Sequence, residues 1–181
     1  MTTSLSDIRF MIERNVKTTL EDADVVNWCN YVNTDVGMGI NIPADPAESI
    51  VLTTTDLEYA LPVNLKIINR LRLQSVIDQG LDAELRVNYR IYNGNIILPR
   101  VCWMAPDTLV IDYYKHMTYF TEIEDVIDID DRFTPLYTFY GISVAKGNDP
   151  LVDPAYLNVK RQVLAYYSLS NEPIVVEGRW R

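Results

Sequence analysis

Apolar residues at Leu5, Ile8, Ile12 and Val16 recur at spacings of three, four and four. That period puts them on one stripe of an amphipathic helix. Ser4-Leu5-Ser6-Asp7 opens the stripe as a capping box, hydroxyl and carboxylate each satisfying an otherwise unpaired amide. A second stripe runs through Val25, Trp28, Cys29, Val32 and Val36; Asp22 or Asp24 can cap it, and Gly37 or Gly39 can end it. Few residues separate the two, so an antiparallel helical hairpin is expected.

Beyond Asn41 the period shortens. Pro43 and Pro46 stand among small and acidic residues as a linker, and Ser49–Thr55 is β-branched and strand-like. Pro62 forces extension just before it. Val63–Ile68 fits either a helical turn or a short strand, Leu71–Val76 alternates as a strand does, and Asp78-Gln79-Gly80 reads as a turn. The strongest local signal is Asn93-Gly94 between flanks rich in Ile, Leu and Tyr, because a type I′ hairpin turn needs positive φ at both central residues. Pro99 has no amide for a ladder, so the second hairpin strand stops there or lies on an edge. Leu109, Val110 and Ile111 begin a further strand that Tyr113 and Tyr114 continue.

Helical spacing then returns. Thr134-Pro135 has the form of a cap followed by proline at the first helical position, and Phe133, Leu136, Tyr137, Tyr140 and Val144 form the stripe behind it. Gly141 within that stripe costs about 1 kcal/mol relative to alanine, which close packing of another helix would justify. Asp153-Pro154 repeats the device ahead of Tyr156, Val159, Val163 and Tyr167, and Ile174-Val175-Val176 forms a strand-like arm with no local partner. The expected fold is therefore α+β and mainly α. It is a four-helix frame from residues 1–40 and 131–171, a mid-chain antiparallel β insertion over 41–130, and an extended C-terminal arm over 172–181.

Composition narrows the function classes. Lys plus Arg is 16 and Asp plus Glu is 25, a net charge of −9. So acidic a chain is a poor ligand for nucleic acid or anionic membrane over a broad surface. No apolar run approaches a membrane span, and a signal-peptide pattern is not expected, which suggests a protein made in the cytosol. Cys29 and Cys102, beside Trp28 and Trp103, read as two buried reduced thiols.

Candidate chemistry is sparse. His116 is the single histidine and is expected to be structural or exposed. Gly37-Met38-Gly39 lacks the third glycine of a phosphate loop. Glu122, Glu124, Asp125, Asp128, Asp130 and Asp131 fall in one stretch without a base, but not in a calcium-loop register; a solvated loop or rim is expected. Neither a metal nor a cofactor is expected. Arg86, Arg90 and Arg100 on the insertion fit ion pairs across a subunit boundary. The chain's twelve tyrosines suit half-wet contact positions, though most should be core.

The order of these parts resembles the head-to-tail adaptor (connector) proteins of podovirus-like tailed bacteriophages. Asp56-Leu57-Glu58-Tyr59-Ala60-Leu61-Pro62 is similar to that family's entry to its insertion. Tyr92-Asn93-Gly94-Asn95-Ile96-Ile97-Leu98-Pro99 and Leu109-Val110-Ile111-Asp112-Tyr113-Tyr114 are similar to its hairpin and the strand after it. Leu136-Tyr137-Thr138-Phe139-Tyr140-Gly141 is similar to the first helix of its C-terminal pair. The likeness spans roughly residues 5 to 170 in short, degenerate motifs. It implies a structural virion protein of the neck, assembled in the host cytoplasm as a ring of twelve copies under the portal, joining head to tail and extending the DNA channel. Partners would be further copies of the chain, the portal protein and tail or nozzle proteins, with DNA only as transient cargo and no membrane. Contact candidates are Arg86 and Arg90, the hairpin tip Asn93 and Gly94, and Pro173, Ile174, Val175, Val176 and Trp180 of the arm. Two other classes stand beside it: a virion peptidoglycan hydrolase using an acid pair from the Glu122–Asp131 loop, and a small-ligand module on the β insertion.

Overall fold

The structure is a computed structural model that describes residues 2–53, 55–81, 84–85, 88–99 and 106–169. Its elements in chain order are α1 (Leu5–Val16), α2 (Asp22–Gly37), β1 (Ile42–Pro43), β2 (Glu48–Leu52), β3 (Glu58–Ala60), β4 (Leu65–Leu73), α3 (Gln74–Ile77), β5 (Arg90–Tyr92), β6 (Asn95–Ile97), β7 (Asp107–Lys115), α4 (Pro135–Ala145) and α5 (Pro154–Leu169). The fold is mixed α+β, 41% helical and 23% strand. The chain forms two compact units, one from Met1–Ile42 with Met117–Glu172 and one on Pro43–His116.

In the helical unit α1 starts as its sequence requires. Ser4 Oγ accepts from the Asp7 amide at 3.2 Å, and the Ser4 amide donates to Asp7 Oδ2 at 3.0 Å. Leu5, Ile8 and Ile12 are buried, and Val16 closes the stripe half-buried. Helix α2 begins at Asp22, but its cap position is Glu21 and carries no side-chain cap bond. Asp22 and Asp24 instead lie in the first turn, where carboxylates suit the positive helix end, and Asp22 pairs with Arg9. Val25, Cys29, Val32 and Val36 are buried as expected; Trp28 is half-buried, and Asn30 and Asn33 join the buried face.

Helix α4 has Thr134 at its N-cap position and Pro135 in its first turn as expected, but the Thr134 side chain makes no cap hydrogen bond. A 3-10 turn over Asp131–Phe133 holds Thr134 in helical geometry, and its hydroxyl donates to the Asp131 carbonyl at 2.7 Å. Phe133, Leu136 and Tyr137 are buried, but Gly141 and Ser143 take the deep positions while Tyr140 and Val144 are half-buried. At α5, Asp153 Oδ1 accepts from the Ala155 amide at 2.8 Å, and Tyr156, Val163 and Tyr167 are buried.

The stretch 117–130, expected in the insertion, belongs to the helical unit. Its backbone is stitched to the N-terminus: Leu5 N donates to Asp125 O at 2.9 Å, Ser6 N to Ile123 O at 2.8 Å, and Ile127 N to Thr3 O at 3.1 Å. Phe120, Ile127 and Ile129 enter the same core as the helices. The acids therefore alternate with apolar anchors, and the stretch is a fixed edge of the unit rather than a free solvated loop.

The β unit is organised around β7. Strand β2 pairs antiparallel along one edge, from Glu48↔Ile111 to Leu52↔Asp107. Strand β4 pairs along the other, from Leu65↔Lys115 to Leu73↔Leu109, with register shifts after Leu65 and Ile68. Pairing on both edges suits the near-continuous apolar run of β7, where Leu109, Val110, Ile111, Tyr113 and Tyr114 are all buried. The undecided Val63–Ile68 is strand from Leu65 onward. The strand expected over Leu71–Val76 stops at Leu73, because Gln74–Ile77 turns into a helical turn, α3. A second sheet has the order β3-β6-β5. The hairpin and β7, contiguous in the sequence reading, thus lie in different sheets. Leu52, Tyr59, Leu71, Ile96, Leu98 and Leu109 from the two sheets share one apolar cluster.

Candidate functional site

The hairpin forms at its predicted place. Asn93 has φ 48° and Gly94 φ 74°, the left-handed pair that a type I′ turn needs. A β-carbon built at Gly94 meets nothing within 4 Å, so it is the backbone angle, not crowding, that asks for glycine. Strand β5 is exposed at every residue. Ile91 is 53% and Tyr92 64% exposed, although Ile96, paired with Ile91 across the hairpin, is wholly buried. Arg90 is exposed beside them. Here an outer strand presents an aliphatic side chain, an aromatic one and a guanidinium to solvent, a composition typical of contact surfaces. Arg86, Arg100, Cys102, Pro173, Ile174, Val175, Val176 and Trp180 lie outside the described residues.

The residues with candidate chemistry are dispersed. His116 is exposed, and its backbone amide donates to the Asn64 carbonyl at 2.8 Å. Cys29 is buried in the helical core, and burial pushes its thiol up to about 12, which makes it a poor nucleophile. Among the described residues no group of three or more His, Cys, Asp or Glu side chains is placed to hold a metal ion.

The acids of the Glu122–Asp131 stretch serve their own loop. Asp125 accepts from the Thr121 and Glu122 amides at 2.7 and 3.0 Å, and Asp128 accepts from the Thr118 amide. Asp131 accepts from the Thr3 amide and hydroxyl at 2.9 and 2.8 Å. Asp130 binds Arg132 at 2.7 Å, and the Arg132 guanidinium also lies 4.5 Å from the centre of the Tyr166 ring. The amides of Glu122 and Thr121 hold the Asp125 carboxyl below its usual range, and the hydrogen bonds from Arg132 lower that of Asp130 to about 2. A glycosidase general acid requires the opposite shift, so that it carries a proton near neutrality.

Two buried asparagines, Asn30 and Asn33, organise this side of the unit and were not singled out in the sequence. Asn30 Nδ2 donates to the Phe120 carbonyl at 2.9 Å while the Phe120 amide donates back to Asn30 Oδ1 at 2.8 Å. Asn33 Nδ2 donates to the Thr118 carbonyl at 2.8 Å, and Tyr137 donates its hydroxyl to Asn33 Oδ1 at 2.6 Å. The signal was present: each asparagine immediately follows an apolar stripe residue of α2, Cys29 or Val32. A third device joins α2 to α5, where Lys160 Nζ reaches both Asp35 oxygens at 2.7 Å and Tyr156 donates to the same carboxylate.

Between the start of α2 and the stretch 119–124 lies an open groove of about 580 Å³, lined by Ala23, Val26, Asn27, Tyr119, Glu122 and Glu124 among others. A shallower hollow of about 350 Å³ on the β unit is bordered by Val51, Gln74, Ser75 and Asp107. No described helix is long and apolar enough to cross a membrane. No known family model matches the chain, and no curated protein matches it either.

Proposed function

We propose that this chain is a structural assembly protein, a head-to-tail adaptor that forms a ring beneath the portal of a tailed bacteriophage and joins head to tail. The observation that carries the reading is β5, an outer strand exposed at every residue, with Ile91 and Tyr92 turned to solvent next to a tight Asn93-Gly94 tip. A hairpin with such an edge is suited to contact between protein surfaces. The order of the parts supports the same reading, with helices before and after an inserted β unit in the sequence. The net charge of −9 supports it too, since a channel rich in carboxylate lets DNA pass without adhering. In a ring, each copy meets its neighbours through two different surfaces, so apolar exposure on both units fits. Phe10 and Tyr31 of the helical unit are 66% and 65% exposed, as Ile91 and Tyr92 are on the β unit.

The test is co-sedimentation of the purified chain with portal rings made from the genome that encodes it. Binding in a fixed number of copies per ring supports the reading; a folded chain that stays in the supernatant at every concentration rejects it.

A further inference from the structure

We propose that the open groove between α2 and the stretch 119–124 receives the outer face of α1 from a second copy of this chain. The contact is heterologous: one copy's groove takes the next copy's helix. It deepens the ring reading above and rests on that reading for its open-ended geometry. Both surfaces belong to the helical unit. The groove is lined by apolar Ala23 and Val26 and by the ring of Tyr119, which is 75% exposed. Of its acids, Asp22 is already paired with Arg9. The carboxylates of Glu122 and Glu124 are exposed, and neither makes an ion pair or hydrogen bond to a described residue. The groove thus offers apolar lining, an aromatic face and two uncompensated negative charges.

The complement lies on α1. Its buried stripe is Leu5, Ile8 and Ile12. At about 100° per residue, Phe10, Arg14 and Lys17 fall on the opposite side, at spacings of four and three. All three are exposed, Phe10 at 66%. Neither the Arg14 guanidinium nor the Lys17 ammonium pairs with a described carboxylate. The acids nearest them on the helix are engaged: Asp7 closes the capping box, and Glu13 accepts from the Leu20 amide at 2.9 Å. An aromatic anchor with cations one and two turns further on is how a helix enters a groove. The Phe10 ring suits the apolar lining and the Tyr119 face, while Arg14 and Lys17, roughly 5–6 Å apart on one helix face, suit Glu122 and Glu124. A net charge of −9 makes copies of this chain repel, so they associate only where opposite charges are matched locally. These two surfaces share no residue. Filling one leaves the other open to a further copy, and such contacts continue until a ring closes.

The experiment is sedimentation velocity of the full-length chain across concentration, without portal. The wild-type chain should form species larger than a dimer. Glu122→Lys/Glu124→Lys and Arg14→Glu/Lys17→Glu, each shown by circular dichroism to be folded, should shift the midpoint of association to at least about tenfold higher concentration, because like charges then face each other. An equimolar mixture of the two variants restores opposite charges at every contact and should regain the wild-type midpoint. Phe10→Ala, which leaves every charge in place, should also raise the midpoint. A wild-type chain that stays monomeric up to its solubility limit overturns the proposal, as does association that Phe10→Ala leaves unchanged or that the mixture does not regain. Association that stops at a dimer assigns a reciprocal pair and overturns the heterologous contact. Portal capture is scored separately: a chain that associates in this way but ignores portal rings rejects the adaptor reading alone, and a monomeric chain that binds them rejects this contact alone.

Discussion

Ile12 of α1 packs directly over Gly141 of α4: a β-carbon built at Gly141 lies 2.3 Å from Ile12 Cδ1 and 3.3 Å from Trp28 Cε3. Three helices therefore meet at the one α4 position without a side chain. Gly141→Ala gains about 1 kcal/mol of helix propensity but adds a methyl to a filled site, which costs roughly 1–3 kcal/mol. A net loss of about 1 kcal/mol is expected. In an Ile12→Val background, which removes Cδ1, the same substitution should become neutral or stabilising. Denaturant unfolding of the four proteins of this cycle measures the coupling; additive effects would contradict the contact.

Asn30 is expected to be the most sensitive polar position of the helical unit. Asn30→Ala strands both the carbonyl and the amide of buried Phe120, at a cost of about 2 kcal/mol or more. Tyr137→Phe removes one donor from Asn33 and costs about 1–2 kcal/mol. Thermal unfolding of both variants checks the order of the two losses.

The lowered carboxyls predict an acid-sensitive edge. The Asp125 and Asp130 carboxyls are held below the ordinary carboxylate range in the folded chain, Asp130 at about 2. A depressed carboxylate contributes its stability in full above the unfolded value and loses it as pH falls through the folded one. The difference in Tm between the wild-type chain and Asp125→Asn/Asp130→Asn should be largest above pH 4 and shrink towards pH 2. Parallel curves would show that these bonds make no linked contribution.

At the hairpin, Gly94→Ala should cost about 1–2 kcal/mol, because φ 74° is strained for a residue with a β-carbon. Ile91→Asp and Tyr92→Ala should change stability by no more than about 0.5 kcal/mol, since both side chains face solvent, yet weaken capture by portal rings. Unchanged capture by both variants would remove β5 from the contact surface.

Deleting residues 174–181 tests the arm separately from the hairpin. A folded chain that enters particles less efficiently is the expected outcome, measured by the amount of chain per purified particle. Undiminished incorporation would exclude the arm from docking.

Much of the fold was legible because local chemistry decided it. The Ser4 box, the Asn93-Gly94 turn, Asp153-Pro154 and the Gly141 contact all sit where residue type and spacing point. What stayed hidden depended on tertiary partners. Leu71–Val76 alternates like a strand but gives way at Gln74 to a helical turn, with the Ser75 amide and hydroxyl bound to Asp107, a residue far along the chain. Thr134 has the sequence of a cap but follows a 3-10 turn that no periodicity announces. The stretch 117–130 looked like solvated acid because charge masks its anchors; Phe120, Ile127 and Ile129 are apolar at intervals that suit neither a helix nor a strand. The proposed contact surface was legible only at the hairpin, where turn chemistry fixes the tip, while the groove beside α2 needs two segments some ninety residues apart.

The most direct test of the adaptor reading is the mass of the complex formed when the full-length chain is added to purified portal rings, measured by native mass spectrometry. The account predicts one closed ring of added chains per portal, a single stoichiometry that saturates. A portal mass unchanged by excess folded chain would contradict it.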